Sequence, residues 1–298
     1  MTNRVTKLFA GIEAGGTKFN CVIGTDPSNV IARTKIPTTK PEETLAATRD
    51  FFLEQARENG KLAGMGIACF GPLDLQKKSP TYGYITSTPK KNWSHTNIAG
   101  YFDDALNIPV GFDTDVNGSA LGEYLYGTAD GVDDFVYVTV GTGIGAGVYA
   151  NGAPINGLIH TEIGHMLVAR AEGDTFEGVC PFHKDCLTGM ASGPAIEARW
   201  KCPGSDLPED HQAWDLEAHY LGIMCVNITM AYSPRLIILG GGVMAQAHLF
   251  PKVRDKFERL MNEFMMPQVK LDQYIVPPGN PDRSGEIGAL AIAMKAAR

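Results

Sequence analysis

The stretch LFAGIEAGGTKFNCVIG, residues 8–24, places a run of glycines between two apolar segments that contain β-branched and aromatic residues. A second stretch, FVYVTVGTGIGAGVYANG at residues 135–152, has the same arrangement. Each pattern predicts a strand, a Gly/Thr turn and a second strand, with no helical spacing directly after the turn. Two such hairpins, about half a chain apart, predict two α/β halves of related design.

The segments around these hairpins alternate between strand and helix patterns. Residues 41–59 predict an amphipathic helix that opens after Pro41 and ends near Gly60. Loops are expected at 170–186 and 203–211, which are polar and contain proline and glycine. The other expected elements are a buried strand and turn at 62–74, a strand and helix at 108–127, a helix at 213–232, a strand entering a glycine turn at 235–244, and a C-terminal helix at 284–298. This alternation fits α/β layers.

Length and charge exclude several classes of protein. The chain has 298 residues, enough for two domains with separate cores. Its net charge of −7 argues against a nucleic-acid-binding surface, which needs clustered Lys and Arg. It contains no apolar run of eighteen or more residues and no apolar signal core near its start, so we expect no membrane contact and a cytoplasmic location.

The glycine turns offer converging backbone N–H groups that suit an anion such as a phosphate. The first turn, GGTK at 15–18, adds a hydroxyl and an ammonium group, and the second is GTGIG at 141–145. A P-loop is excluded because Thr17 stands where its Lys is required, and a dinucleotide fold because a strand continues after residue 146. The alternative is that the glycines only make tight hairpins.

The sequence FDTDVN places Asp113 and Asp115 at the end of a predicted strand, where ligands of open α/β sheets bind. A carboxylate that orients and deprotonates an acceptor hydroxyl is sufficient for phosphoryl transfer, with Mg²⁺ neutralising the phosphates. Asp115 suits that role, and Asn117 could hold a neighbouring sugar hydroxyl. Spacing alone favours a simpler interpretation, in which Asp113 or Asp115 caps the following helix.

A cluster of cysteine and histidine residues has the spacing of a metal site. His165 is followed by Cys180, His183 and Cys186 in the pattern H-x14-C-x2-H-x2-C, which predicts a closed tetrahedral structural zinc site. Accidental clustering is the alternative. Glu162 lies just before this loop and could accept hydrogen bonds from sugar hydroxyls, with zinc fixing the backbone that presents it; alone, it would be interpreted as an exposed Glu. The other four cysteines are expected to be small buried hydrophobic residues.

Together these motifs resemble the ROK family (repressors, open reading frames, kinases), and in particular its bacterial fructokinase-like branch. GIEAGGTKF is similar to the family's first phosphate motif, VTVGTGIGAG to its second and LGGGV to its adenosine-side turn. EIGH with the Cys/His loop is the most diagnostic segment, and FGPLDL, STPKKNW and DTDVNGSALGE are similar to the fructokinase branch. The match covers almost the whole chain.

The resemblance implies an actin-like (ribonuclease H-like) two-lobed ATPase fold with a zinc-binding loop, Mg-ATP and a hexose as substrates, and a homodimer. We place the smaller lobe at 1–118, completed by a C-terminal helix at about 284–298, and the larger lobe at 119–283. Asp115 is then the implied base, with Asn117, Glu162 and His165 at the sugar. The implied nucleotide-binding residues are Glu13, Gly15, Gly16, Thr17, Lys18, Thr142, Gly143, Gly241 and Gly242, and the implied zinc ligands are His165, Cys180, His183 and Cys186.

Three departures from the family pattern bear on the substrate. Glu13 replaces an Asp of many members, Thr114 replaces the Asn of glucose-type members, and Thr188 replaces a Glu that reaches the sugar. Fructose is the expected acceptor, and a glucokinase, mannokinase or N-acetylhexosamine kinase is the alternative. A catalytically silent sugar sensor and an actin-like assembly protein are further alternatives. A DNA-binding repressor would need a helix-turn-helix ahead of Gly11, where this sequence has about ten residues.

Overall fold

The chain is described by a computed structural model that covers residues 7–264, 269–281 and 283–298. Packing divides these residues into two units. The first unit runs to Gly127 and also includes Asn156–His160 and the C-terminal helix, and the second comprises Thr128–Ile155 and the chain from Thr161 to Pro281. The division falls after Gly127 rather than after residue 118, because the helix that begins at Asp115 packs against the C-terminal helix of the first unit.

The first unit is built on a five-stranded sheet with the order β3-β2-β1-β4-β7. The contacts β1–β2 and β2–β3 are antiparallel, whereas β1–β4 and β4–β7 are parallel. Its strands are β1 (Leu8–Ala14), β2 (Lys18–Asp26), β3 (Asn29–Pro37), β4 (Leu62–Cys69) and β7 (Val110–Thr114). Two short strands, β5 (Tyr84–Ile85) and β6 (Thr96–Asn97), form a separate ribbon.

The second unit repeats this topology in a sheet with the order β10-β9-β8-β11-β12. The first three strands are again antiparallel neighbours, and β8–β11 and β11–β12 are again parallel. Its strands are β8 (Phe135–Val140), β9 (Ile144–Ala150), β10 (Ala153–Pro154), β11 (Leu236–Gly240) and β12 (Ile275–Val276). The expectation of two related α/β halves is therefore confirmed.

The helices that were predicted from long sequence patterns are present in the structure. Helix α1 begins at Pro41 and ends at Asn59, and Gly60 caps it with a positive φ of 114° that suits glycine. The first unit contains α1 (Pro41–Asn59), α2 (Ile98–Leu106), α3 (Asp115–Tyr126) and α9 (Ser284–Ala296). The second contains α4 (Leu187–Ala191), α5 (Gly193–Trp200), α6 (Ala213–Tyr232), α7 (Leu249–Met261) and α8 (Leu271–Tyr274). None of the described helices is both long and apolar enough to span a membrane.

A row of glycines lets α9 lie directly on the first sheet. Gly11, Gly66 and Gly111 stand opposite one another on β1, β4 and β7. A Cβ atom at Gly66 would lie 2.0 Å from the backbone oxygen of Ala289 in α9. Helix α3 approaches α9 just as closely, because a Cβ atom at Gly288 would lie 1.7 Å from the backbone oxygen of Gly118. Because these glycines lack side chains, α9 can pack directly on the sheet and α3 directly on α9, which fixes the position of α3 and its N-terminus.

Each unit has its own apolar core. The first centres on large buried side chains such as Phe19, Phe52 and Trp93, and the second on Trp214, Tyr220 and Phe257. Of the four cysteines expected to be buried, Cys202 is partly exposed. It lies just after α5 in a polar stretch that ends the helix, so the burial expected of it is wrong. The other three, Cys21, Cys69 and Cys225, are buried as expected.

Candidate functional site

The first glycine turn connects β1 to β2 at the edge of the first sheet where the parallel strands β1, β4 and β7 have their C-terminal ends. Thr38 fixes its shape, because the Thr38 N–H donates to Thr17 O (2.9 Å) and its hydroxyl donates to Gly15 O (2.8 Å). Gly16, Thr17 and Lys18 are exposed, and no heavy atom lies within 4 Å of the position of a Cβ at Gly16. An anion can therefore approach the backbone of this turn.

Glu13 lies near the end of β1, next to this turn. Its Oε2 accepts a hydrogen bond of 2.8 Å from Nδ2 of Asn20 on the neighbouring strand. Burial raises the pKa of Glu13; the Asn20 hydrogen bond and Lys18 oppose that shift, whereas Glu286 adds to it. Glu13 is consequently a half-buried acid whose carboxylate accepts a hydrogen bond from Asn20 and would be stabilised by a cation.

Asp115 is the first residue of α3, directly after β7. The helix cap is Thr114, whose Oγ1 accepts the Asn117 N–H at 3.0 Å. The simpler interpretation that Asp113 or Asp115 caps the helix is therefore wrong. Thr114 takes that role, and the half-buried Asp115 lies at the helix N-terminus, where its Oδ1 accepts the Val116 N–H at 2.9 Å.

Asp115 and the first glycine turn share one edge of the first sheet. Ala14, Cys69 and Thr114 are the terminal residues of the parallel strands β1, β4 and β7, and they stand opposite one another in register. Gly15 and Asp115 each follow this row by one residue. Two strand spacings of about 4.8 Å each separate their strands, so the two features lie roughly 10 Å apart.

Asn117 lies below the surface of this edge. It is only 2 % exposed, and its Nδ2 donates to Oδ1 of Asp113 at 2.7 Å. Asp113 also accepts the Thr114 N–H at 2.8 Å, and burial raises the pKa of its carboxyl group. The amide that we assigned to a sugar hydroxyl is thus engaged in holding Asp113, a contact that spacing did not reveal.

In the second unit, two glycine turns lie at the same edge of the sheet. One follows β8 at Gly141, and the other follows β11 at Gly241; the two strands are parallel neighbours. Gly241 has φ of 92°, and a Cβ there would lie 2.5 Å from Val140 O, so only glycine fits. Gly193, at the start of α5, donates its N–H to Gly141 O at 2.8 Å. Thr142 and Gly143 complete the first turn, and Gly242 the second.

The EIGH segment packs against β9 beside the first of these turns. A Cβ at Gly164 would lie 1.7 Å from Ile144 O, so no side chain fits there. Burial raises the pKa of Glu162 to about 7, so its carboxyl group changes charge near neutral pH. Thr188 Oγ1 accepts the Ile144 N–H at 3.1 Å, so its hydroxyl is bonded to the strand that supports this segment.

The four residues of the Cys/His pattern come together as one cluster. Their ligand atoms all lie within 4.8 Å of one another. Nδ1 of His165 lies 3.3 Å from Nδ1 of His183, 3.7 Å from Sγ of Cys180 and 3.5 Å from Sγ of Cys186, and Cys180 Sγ lies 3.9 Å from His183 Nδ1. A tetrahedral zinc ion with ordinary bond lengths needs about 3.3 Å between two nitrogens and about 3.6 Å between nitrogen and sulfur. These donors therefore fit zinc in type and spacing.

Sequence reasoning missed several residues that shape these sites. Asn20, Thr38 and Gly193 contact predicted site residues from other elements. For Asn20 a signal was present, because in the predicted hairpin it is the cross-strand neighbour of Glu13. No local sequence pattern indicated Thr38 or Gly193, because their hydrogen-bond partners lie far from them along the chain.

The repeated sheet order and the glycine turns at the ends of the strands define a two-unit α/β protein with turns that suit phosphate. Solved structures have this fold: a ROK hexokinase from Thermus thermophilus (TM-score 0.77, 23 % identity, 97 % of this chain and 98 % of that one) and a ROK family glucokinase from Streptomyces griseus in complex with glucose and AMPPNP (TM-score 0.77, 20 % identity, 97 % and 99 %). The expected fold class is confirmed.

The chain belongs to the ROK family, whose model matches residues 9–296. A fructokinase from Streptococcus mutans is 43 % identical over 98 % of this chain and 99 % of its own length. A fructokinase from Zymomonas mobilis is 41 % identical over 97 % of each chain. The resemblance to the fructokinase-like branch is thereby confirmed.

Proposed function

We propose that this protein transfers the γ-phosphoryl group of ATP to a hexose, with D-fructose as the preferred acceptor and D-fructose 6-phosphate as the product. The similarity to fructokinases at 41–43 % identity over nearly the full length supports the choice of fructose. The observation that carries the proposal is the shared end of the first sheet, where the first glycine turn follows β1 and Asp115 follows β7, with the parallel strand β4 between them. A carboxylate about 10 Å from a phosphate-binding turn leaves room for a sugar hydroxyl and a γ-phosphate.

In this proposal Asp115 accepts the proton of the primary hydroxyl as that oxygen attacks the γ-phosphorus, and ADP leaves on the opposite side. The exposed turn at 15–18 donates its N–H groups to phosphate oxygens. Glu162 accepts hydrogen bonds from sugar hydroxyls, and His165, beside it in the chain, fixes the backbone that presents it. Asn117 acts on Asp113 and so supports the strand end rather than the sugar directly.

The resemblance to the family's second phosphate motif and adenosine-side turn supports further nucleotide-binding residues in this proposal. Thr142 and Gly143 bind phosphate oxygens, and the turn at 241–242 lies beside the adenosine. Gly141 and Gly242 leave this edge of the second sheet open. Apart from each glycine and its two chain neighbours, no heavy atom lies within 4 Å of a Cβ position at either residue. Magnesium bound with ATP would neutralise the phosphates, and the half-buried Glu13, two residues before the first turn, offers a carboxylate to hold it.

We also propose that the metal of the Cys/His cluster is zinc and that its role is structural. Four protein ligands close the coordination shell, which leaves no position for substrate. The loop from Cys180 to Cys186 has no helix or long strand of its own, so the metal would order it. A homodimer and a cytoplasmic location remain predictions from the resemblance and the sequence; sedimentation velocity tests the former and cell fractionation the latter.

The test is a coupled assay of ADP release with fructose, mannose, glucose and N-acetylated hexoses, for wild type and Asp115→Asn. We expect fructose to give the highest kcat/KM and Asp115→Asn to lower kcat by about 10²–10⁴-fold, as removal of a general base does. Asp104→Asn, an exposed acid on α2, is the matched control and should remain at the wild-type rate. Another hexose with the highest kcat/KM would replace fructose, and Asp115→Asn within tenfold of wild type would overturn the assigned base.

A further inference from the structure

Asn20 has an unusual environment for a polar strand residue. It stands opposite Glu13 in the β1–β2 register, and its Nδ2 donates to Oε2 of Glu13 at 2.8 Å. Its other polar atom, Oδ1, is buried and has no hydrogen-bond partner among the residues that the structure describes. A buried acceptor without a partner costs free energy, which a ligand that donates a hydrogen bond would recover.

The orientation of this amide is determined by its neighbour. If the amide were reversed, its oxygen would face the carboxylate oxygen of Glu13, and two acceptors would repel each other. Glu13 itself has little freedom, because a Cβ at Gly285 in α9 would lie 2.4 Å from its carboxyl carbon. Its carboxylate is therefore enclosed between β2 and the start of α9, with Oε2 held by Asn20.

Two carboxylates and two cations make up the charges around this pair. Glu286 in α9 adds a second negative charge near Glu13, and Arg33 neutralises part of it through an ion pair of 3.0 Å. Lys18 on β2 is the positive group that acts on Glu13, and the residue opposite Glu13 on β4 is the apolar Ala68. With Arg33 paired to Glu286 and Lys18 acting on Glu13, the four charges balance, and Glu13 is the carboxylate among them that lies two residues before the phosphate-binding turn.

We propose that Asn20 is a positioning residue for the Mg²⁺ that accompanies the nucleotide: its N–H fixes Glu13, and its Oδ1 accepts a hydrogen bond from a water of the hydrated ion. This inference rests on the proposed function, which places Glu13 at the magnesium. Mg²⁺ in nucleotide sites keeps several of its water ligands, and those waters are hydrogen-bond donors. A fixed carboxylate next to an amide oxygen offers two acceptors for them.

The experiment measures binding rather than turnover. Isothermal calorimetry with ADP, in the presence and absence of Mg²⁺, compares wild type, Asn20→Leu, Glu13→Gln and the double variant. Asn20→Leu should weaken binding of Mg·ADP by roughly tenfold, as expected for loss of a hydrogen bond to a charged group, and leave binding of ADP without Mg²⁺ unchanged. In the Glu13→Gln background the same change should cost less than about twofold, because the two residues act together.

Controls separate this role from a structural one. Asn59→Leu removes the same type of side chain at the far end of α1 and should bind Mg·ADP like wild type. The KM for the hexose should not change in Asn20→Leu, whereas the Mg²⁺ concentration for half-maximal activity should rise. If Asn20→Leu does not fold, Asn20→Ser keeps a polar side chain too short to reach Glu13 and should show the same shift.

The possible outcomes are distinct. A change in Mg·ADP binding for Glu13→Gln but not for either Asn20 variant would overturn the role of Asn20 and leave the proposed function intact. Additive effects in the double variant, or equal weakening of ADP with and without Mg²⁺, would also overturn it. An unchanged Glu13→Gln would contradict the placement of Glu13 in the proposed function itself.

Discussion

Gly66→Ala is the substitution to which the first unit should be most sensitive. Gly66 is the middle residue of the glycine row on β1, β4 and β7. An added Cβ would lie 2.0 Å from Ala289 O, 2.5 Å from Ala293 N and 2.9 Å from Ile292 Cβ, all in α9. Two of these three are backbone atoms, so no side-chain rotation relieves the contact.

The size of the effect follows from these distances. An ordinary contact of a Cβ with an oxygen is about 3.4 Å, so α9 has to move away from the sheet by more than about 1 Å. Overpacking of this kind costs about 3 kcal/mol, at the upper end of the usual range because the backbone must move. With a urea m-value of about 3 kcal/mol/M, the midpoint of unfolding should fall by about 1 M.

Urea unfolding, combined with peptide-resolved hydrogen exchange, measures this. Protection should fall in β1, β4, β7 and α9, and should stay unchanged in the strands of the second unit, which has its own core. Gly157→Ala is the control, because no atom lies within 4 Å of its Cβ position. A Gly66→Ala midpoint within about 0.2 M of wild type would show that α9 does not lie as closely on the sheet as described.

Three further predictions concern the two sheet edges and the metal cluster. Chelation should release about one zinc per chain and lower the melting temperature, and Cys186→Ser should do the same; purified protein that contains no zinc by elemental analysis would contradict this. Because burial raises the pKa of Glu162 to about 7, its charged, better-accepting form increases as the pH rises from 6 to 8, so the KM for the hexose should fall over that range. Glu162→Gln should abolish this pH dependence, and a dependence that persists in it must come from another group. Thr114→Ala should lower the free energy of unfolding by about 1 kcal/mol through loss of the α3 cap, measured in urea, whereas Thr114→Ser should retain it; equal stabilities of the two variants would exclude a capping role.

Local patterns predicted the elements well where they were long or strongly punctuated. Helix α6 spans Ala213–Tyr232, the range expected, and α1 spans Pro41–Asn59 with Gly60 as its C-cap. The two glycine hairpins and the Cys/His cluster were also recognisable, because their chemistry depends on residues close together in the chain. Helix α7 (Leu249–Met261) was not predicted, although one of its faces is apolar and buried at Leu249, Val253 and Phe257.

The chemistry of the strand-end acids was harder to predict. Spacing favoured Asp113 or Asp115 as the cap of α3, but Thr114 has that role, and the structure thereby distinguishes the two acids. Asp113 accepts a hydrogen bond from Asn117, whereas Asp115 lies at the end of the sheet that also carries the first glycine turn. Asp113, Thr114 and Asp115 differ in role because β7 ends at Thr114 and α3 begins at Asp115.

By itself the sequence determined the two related α/β halves, the turns that suit phosphate, the Cys/His cluster and the family, because each of these depends on residue types at short spacing. Only the tertiary structure showed that Gly11, Gly66 and Gly111 form one row, that α9 lies on it, and that Asn20 holds Glu13. These features depend on strand register and on contact between segments distant in the chain. A pattern along the chain does not specify which residues of different strands stand opposite one another, and that register decides which side chains share a site.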